Sequence, residues 1–240
     1  MRPATSIGCL ILTIGLMTIN VRSSIGQCRS LTTMAPDGGA IFDQSPYPNL
    51  DAAITIEINL LRQLWSVNPA VFYFDDGPNP NAMSSSLKTN PLMDGHIKIG
   101  WNLVLKECQE LYTDCTVLPI IIAHEFAHTY AYFRSTVPGT SRRIRYNNKK
   151  DELYADYLAG AYMRHREVNF GGVFVPEVIE AFMSRGDYNF NDPTHHGTPE
   201  ERYEALMAGY EFVSMANRDG VPISIVNVSN KAYVYLKSVD

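Results

Sequence analysis

Apolar residues recur every three to four positions along much of the chain, which is the spacing of one face of an α-helix. The run from Val117 to Phe133 is apolar over nearly its whole length and predicts a buried helix. Pro119 is compatible with it, because a proline is tolerated in the first turn of a helix. The same spacing predicts five further helices, over 51–65, 102–112, 151–168, 176–184 and 199–215.

Shorter patterns predict strands. Val71–Phe74 is a compact apolar run that ends at an Asp-Asp-Gly-Pro turn, and His96–Ile99 alternates like a half-buried strand. Alternation near the C-terminus predicts a terminal hairpin from 223–228 and 233–237. Two stretches are rich in turn-forming residues and are predicted to be irregular, 29–49 and 77–94. The order of these elements predicts one α+β domain.

The N-terminal residues have the make-up of an export signal. One arginine precedes the almost purely apolar run Ile7–Ile19, and the small residues Ser24 and Gly26 fit a cleavage site. This run is too short to span a membrane comfortably. We therefore expect residues 1–26 to be a signal peptide and 27–240 to form a single mature domain, either periplasmic or secreted. An uncleaved N-terminal membrane anchor is the alternative.

Composition excludes several classes of protein. Of the 240 residues, 45% are hydrophobic and 19% charged, a balance that can bury a core and argues against wholesale disorder. A net charge of -5 gives no sign of a nucleic-acid partner. No segment after the signal approaches about 18 consecutive apolar residues, so no integral membrane span is expected in the mature chain.

Three cysteines follow the signal, Cys28, Cys108 and Cys115. An exported chain permits disulfides, and three thiols allow one bridge with one cysteine left over. Cys108 and Cys115 can pair only if the helix between them is broken, because seven residues of intact helix separate them by about 10 Å. The pairing stays open at this point.

The stretch His124-Glu125-Phe-Ala-His128 lies within the predicted helix 117–133 and carries the most specific chemistry. Residues four apart lie on one face of a helix, so both imidazoles can bind one metal ion. Glu125 lies beside that ion, where it can take a proton from a metal-activated water. Three ionisable groups among apolar residues are costly unless they are paired or bind metal. Because zinc suits imidazole nitrogen, we predict one Zn²⁺ per chain.

Two histidines leave a catalytic zinc one protein ligand short. The metzincin class is excluded, because Ala131 and Arg134 stand where its glycine and third histidine would be. Glu152 and Asp156 are four apart in the next predicted helix and share a face. Glu152 is predicted to be the third ligand, and Asp156 to accept the second imidazole N–H of a liganding histidine. A solvated acidic helix N-terminus is the alternative.

A histidine pair, His195 and His196, precedes the predicted helix 199–215. A zinc peptidase that carries a His-Glu-x-x-His motif needs a hydrogen-bond donor for the oxyanion of the tetrahedral intermediate. His196 is the candidate and His195 its rival, while Arg202 can bridge carboxylates behind the site. The alternative is a histidine-containing loop before a capped helix.

Together, the His-Glu-x-x-His, Glu-x-x-Ala-Asp and His-x-x-Pro-x-x-Arg motifs resemble the gluzincin metallopeptidases. The closest resemblance is to the HtpX/CAAX-prenyl-protease type and to bacterial neutral zinc metallopeptidases, over residues 79–210. It implies a zincin-like α+β fold, with a small sheet whose edge strand packs on the zinc helix. It also implies zinc ligation by His124, His128 and Glu152, with Glu125 as the catalytic base.

The resemblance extends to the stretch ahead of the zinc helix. Asn81-Ala82 followed by Asp94–Ile99 looks like the family's substrate-side edge strand. His96, Ile97, Lys98 and Ile99 are accordingly expected to dock an extended peptide by strand addition, a plain interior strand being the alternative. Gly197, where HtpX-type members usually carry proline, favours the soluble relatives.

The sequence thus predicts an exported zinc-dependent endopeptidase that acts on peptide or protein substrates. The rival hypothesis is a non-catalytic secreted binding module that zinc stabilises, and the intact Glu125 argues against it.

Overall fold

A computed structural model describes residues 31–34, 40–109, 115, 117–144, 148–171, 176–188 and 195–239. The predicted signal peptide, 1–26, and Cys28 lie outside these residues. None of the described helices is long and apolar enough to cross a membrane.

The described strands form one mixed sheet. They are β1 (Leu31–Met34), β2 (Ala40–Phe42), β3 (Ala70–Phe74), β4 (Ala82–Ser85) and β5 (His96–Gly100). Their order is β1-β2-β3-β5-β4, in which only β3 and β5 are parallel neighbours. β1, β2 and β4 fall in the stretches that were predicted to be irregular. Strands of three or four residues are too short to show the two-residue period.

The prediction that His96–Ile99 forms a strand is confirmed, but the prediction that this strand is half-buried and lies at the edge of the sheet is wrong. β5 lies between β3 and β4, and all five of its residues are buried. Its two polar side chains are covered by partners rather than by water. His96 Nδ1 lies 2.8 Å from the carbonyl oxygen of Leu87, and Lys98 Nζ lies 5.7 Å from the centre of the Phe74 ring. The alternation therefore does not mark a solvated face, and β4 is the outer strand.

Seven helices are described. They are α1 (Pro48–Trp65), α2 (Trp101–Gln109), α3 (Val117–Phe133), α4 (Asn148–Phe170), α5 (Pro176–Met183), α6 (Pro199–Arg218) and α7 (Ile225–Leu236). The α+β class is confirmed, whereas the C-terminal hairpin is wrong. α7 buries Val228, Ala232 and Leu236, which are four apart and share a helix face. Its N-cap, Ser224, accepts a hydrogen bond from the Asn227 N–H.

α4 and α6 run in the same direction with their backbones in contact. Residues that contact each other lie further along both helices in turn: Asp156 contacts Arg202, and four residues later in each helix Gly160 contacts Leu206. A Cβ on Gly160 would overlap the Leu206 carbonyl oxygen, and one on Gly209 would overlap that of Tyr157. The two glycines permit this close approach, which brings an α6 side chain beneath the first turns of α4.

A disulfide joins Cys108 near the end of α2 to Cys115 just ahead of α3, with the Cα atoms 4.4 Å apart. α2 ends at Gln109, so the broken helix that this pairing requires is present. The bridge ties the beginning of α3 to the neighbouring helix.

Candidate metal centre

α3 presents the histidine motif from a buried helix. Every residue from Val117 to Tyr130 is buried, so His124, Glu125 and His128 are only 7–8% exposed. Buried ionisable groups need partners. The nearest part of α4 supplies them for the two histidines, since α3 and α4 pack against each other.

Two imidazoles and one carboxylate converge at this contact. His124 Nε2 lies 3.1 Å from His128 Nε2. Glu152 faces both rings, with Oε2 3.3 Å from His124 Nε2 and Oε1 3.5 Å from His128 Nε2. One ligand atom from each residue lies within 4.8 Å of the others, so this group could hold a metal ion. These are the three residues that the sequence predicted as ligands.

Asp156 and Arg202 lie behind this group. His124 Nδ1 is 2.9 Å from Asp156 Oδ1, and the Asp156 side chain is fully buried. Arg202 donates to both Asp156 oxygens, at 2.7 and 2.8 Å, and its guanidinium lies 3.4 Å from Glu152 Oε2. If His124 donates from Nδ1 to Asp156, its Nε2 is directed towards His128 and Glu152.

The two histidines differ in their affinity for protons. Burial lowers the pKa of His124, but hydrogen bonds to Asp156 and Glu152 outweigh burial and raise the pKa to about 9. Burial and the positive charge of His124 lower the pKa of His128 to about 4. A neutral His128 beside a protonated His124 accounts for two ring nitrogens in hydrogen-bonding contact. With its pKa raised to about 9, His124 would place positive charge at the point where the three side chains converge.

The two glutamates also differ. Burial raises the pKa of Glu152, yet its hydrogen bond to His124 and the nearby positive charges outweigh this and hold that pKa well below its usual range. Burial raises the pKa of Glu125, against the opposing charge of His124. Glu125 is also hydrogen-bonded to the Ser84 side chain. Glu152 therefore keeps its negative charge, and Glu125 is the glutamate that holds a proton more readily.

A cavity of about 440 Å³ opens over this group. β4 and the residues before it form one wall, from Pro80 to Ser84, and none of the predicted docking residues of β5 is among the described residues that line it. Tyr132 and Arg185 also line the cavity, as the sequence analysis did not foresee. Tyr132 lies four residues after His128, so the helical spacing could have identified it.

The adjacent side chains of His195 and His196 point to different places. His196 lines the cavity, with Nδ1 3.4 Å from Glu152 Oε1 and its side chain half exposed. His195 points elsewhere, with Nδ1 2.7 Å from Asp187 Oδ1. The geometry therefore places His196 rather than His195 beside Glu152, and the role of His196 as an oxyanion donor stays a prediction.

Comparison with known proteins gives no relative: no family model, curated protein or solved structure matches this chain significantly. The resemblance to gluzincins therefore remains an expectation from the three sequence motifs. Their ionisable side chains line the cavity, apart from Asp156, which lies fully buried behind it.

Proposed function

We propose that this protein is an exported zinc-dependent endopeptidase. The observation that carries the proposal is the convergence of His124, His128 and Glu152 beneath a cavity that also holds the buried carboxylate of Glu125. Export is supported by the composition of residues 1–26, which lie outside the described part of the chain.

The donor set fits zinc. Two imidazole nitrogens and one carboxylate oxygen are a ligand set typical of catalytic zinc sites, which keep a further position open. Asp156 supports the fit, because a histidine that binds metal through Nε2 commonly donates Nδ1–H to a carboxylate. A bound zinc ion would supply a Lewis acid that polarises a carbonyl group and makes a water molecule more acidic.

The protein's own side chains would move the protons. Glu125 would accept a proton from the attacking water at a carboxylate oxygen and return it to the amine nitrogen of the leaving group. Its raised pKa suits this exchange, because a carboxylate with a higher pKa is a stronger base. His196 would donate a hydrogen bond to the oxygen that becomes negatively charged.

β4 is the proposed docking strand, in place of β5. It ends the sheet, lines the cavity and pairs with one strand only, β5, among the described strands. An extended peptide can add to such an outer strand through backbone hydrogen bonds. This arrangement favours a peptide or protein substrate.

The experiment combines metal analysis with peptide hydrolysis by the mature chain. We expect about one zinc per chain and cleavage of casein or a quenched-fluorescence peptide library that stops on addition of a chelator. Glu125→Gln should keep the zinc and the fold but lose about 10²–10⁴-fold in kcat. The matched control is Glu180→Gln, which changes an exposed glutamate of α5 and should leave the rate unchanged.

Hydrolysis that survives both the chelator and Glu125→Gln would reject the proposal. Stoichiometric zinc without any hydrolysis would favour the zinc-stabilised binding module instead.

A further inference from the structure

Asp187, which follows α5, uses its carboxylate and its backbone to hold the segment that carries His196. Its Oδ1 lies 2.7 Å from His195 Nδ1, and its Oδ2 accepts the His196 backbone N–H at 3.1 Å. The Asp187 N–H donates to the carbonyl oxygen of Gly197 at 2.9 Å. Three consecutive residues are thus tied to one aspartate.

The backbone around these contacts leaves little freedom. Gly197 adopts φ +92°, a left-handed conformation in which a Cβ would also approach Leu153, the neighbour of Glu152. Thr198 then begins α6 with a reciprocal capping box to Glu201. A Cβ on Gly186 would overlap the Pro199 backbone, so the residue before Asp187 is pressed against this turn.

The two histidines diverge because of this arrangement. Adjacent side chains in extended backbone point to opposite sides. Asp187 contacts the ring of His195, whose side chain is 10% exposed. The His196 side chain, which is 51% exposed, points towards Glu152 instead. Because the His196 ring is half exposed to water, few contacts fix the ring itself. Its position above Glu152 therefore depends on a fixed backbone.

We propose that Asp187 is a positioning residue that holds His196 at the cavity. The inference rests on the proposed function for its catalytic consequence. Asp187 does not line the cavity; it acts through the His196 N–H and through the turn at Gly197. Without the carboxylate, the His196 ring would sample positions in which it cannot reach the oxygen of the substrate.

The kinetic test is a double-mutant cycle between Asp187→Ala and His196→Ala. Asp187→Ala should lower kcat about tenfold, with little change in KM and full zinc content, as expected when a charge-assisted hydrogen bond that orients a donor is lost. The double variant should be no slower than His196→Ala alone. Asp187→Asn keeps one oxygen acceptor and should recover most of the rate. Asp219→Ala, a carboxylate beyond the far end of α6, is the matched control.

A second readout does not require activity. The His196 amide should be protected from hydrogen exchange in the wild type and should exchange faster in Asp187→Ala, but not in Asp219→Ala. If the wild type hydrolyses no peptide, the proposed function fails and this measurement still decides on the positioning. Unchanged exchange at His196 overturns the inference, as does a rate loss that adds fully to that of His196→Ala. Should Asp187→Ala fail to fold, both readouts are taken with Asp187→Leu, which keeps the volume of the side chain but accepts no hydrogen bond.

Discussion

An aspartate holds a histidine in two regions of this protein, and the surroundings give the two pairs different roles. In the buried cluster (His124, His128, Glu152, Asp156, Arg202), Asp156 is fully buried and Arg202 covers both of its oxygens. In the rim (Asp187, His195, His196), the Asp187 side chain is 36% exposed. Water screens charges at the rim but not in the cluster. The balance of charges therefore decides the stability and metal binding of the cluster. At the rim, the direction of the hydrogen bonds decides where the side chains lie.

The largest expected effect is the loss of metal from the cluster. His124→Ala or His128→Ala removes one of three ligands and should reduce bound zinc from about one ion per chain to a trace. Glu152→Ala should also weaken binding. Asp151→Ala is the control, because this neighbouring carboxylate is not part of the converging group. Inductively coupled plasma mass spectrometry on dialysed protein gives the metal content, and stoichiometric zinc in both histidine variants would contradict the assignment.

Arg202 should matter next, through stability. Arg202→Met removes both guanidinium hydrogen bonds from the fully buried Asp156 and one of the two cations beside it, the other being His124, which should lower the free energy of unfolding by about 3–5 kcal/mol. Arg218→Met breaks a solvent-exposed pair with the adjacent Asp219 and should cost less than about 1 kcal/mol. Urea unfolding of the metal-free variants measures both. Equal losses would mean that the cluster is not governed by buried charge.

The rim histidines should separate in kinetics. His196→Ala should keep its zinc and lower kcat and kcat/KM together by about 100-fold, as for a hydrogen bond made only in the transition state. His195→Ala leaves the hydrogen bond that the His196 N–H donates to Asp187 and should have a much smaller effect. If the two variants exchange their effects in steady-state kinetics, their roles are reversed.

Zinc affinity should rise with pH, because a histidine of the cluster must lose a proton before it can bind the metal. Metal-free His124 has its pKa raised to about 9, so below pH 9 a proton must leave before its Nε2 can bind metal. The pKa of His128, about 4, means that this ring is already neutral. The apparent affinity should therefore rise about tenfold per pH unit between pH 6.5 and 8.5 and level off above pH 9.

Calorimetry in buffers of different ionisation enthalpy tests this account. It should detect about one proton released from His124 per zinc at pH 7.5. In Asp156→Asn, the hydrogen bond that raises the pKa of His124 is weakened, and fewer protons should be released. Equal release from both proteins would reject the assignment of that proton to His124.

Local spacing explains what the sequence could predict of the site. His124, Glu125 and His128 lie in one turn of a helix, and Glu152 and Asp156 in one turn of another, so each face follows from helix geometry. The strand that forms the cavity wall does not follow from spacing. β4 has no distinctive pattern, and Ser84 reaches Glu125 only because β4 packs beside α3.

Tertiary contacts also reversed two expectations. The polar residues His96 and Lys98 suggested a strand at the solvent-exposed edge of the sheet. Both side chains are instead buried by contacts with neighbouring segments. Lys98→Pro is expected to disrupt the sheet, since proline removes a ladder donor from an interior strand. In α7, alternating valines and tyrosines favoured strands, and burial of a helical face outweighed that local preference.

The close contact between α4 and α6 has a consequence for mutational tolerance. Gly160 and Gly209 have no functional group, yet any added side chain at either position meets backbone of the opposite helix. Glu152 and Asp156 belong to one helix and Arg202 to the other, so a forced separation would move both halves of the cluster apart. In a saturation mutagenesis screen for activity, these two glycines should be among the least replaceable positions, alongside the ligands themselves.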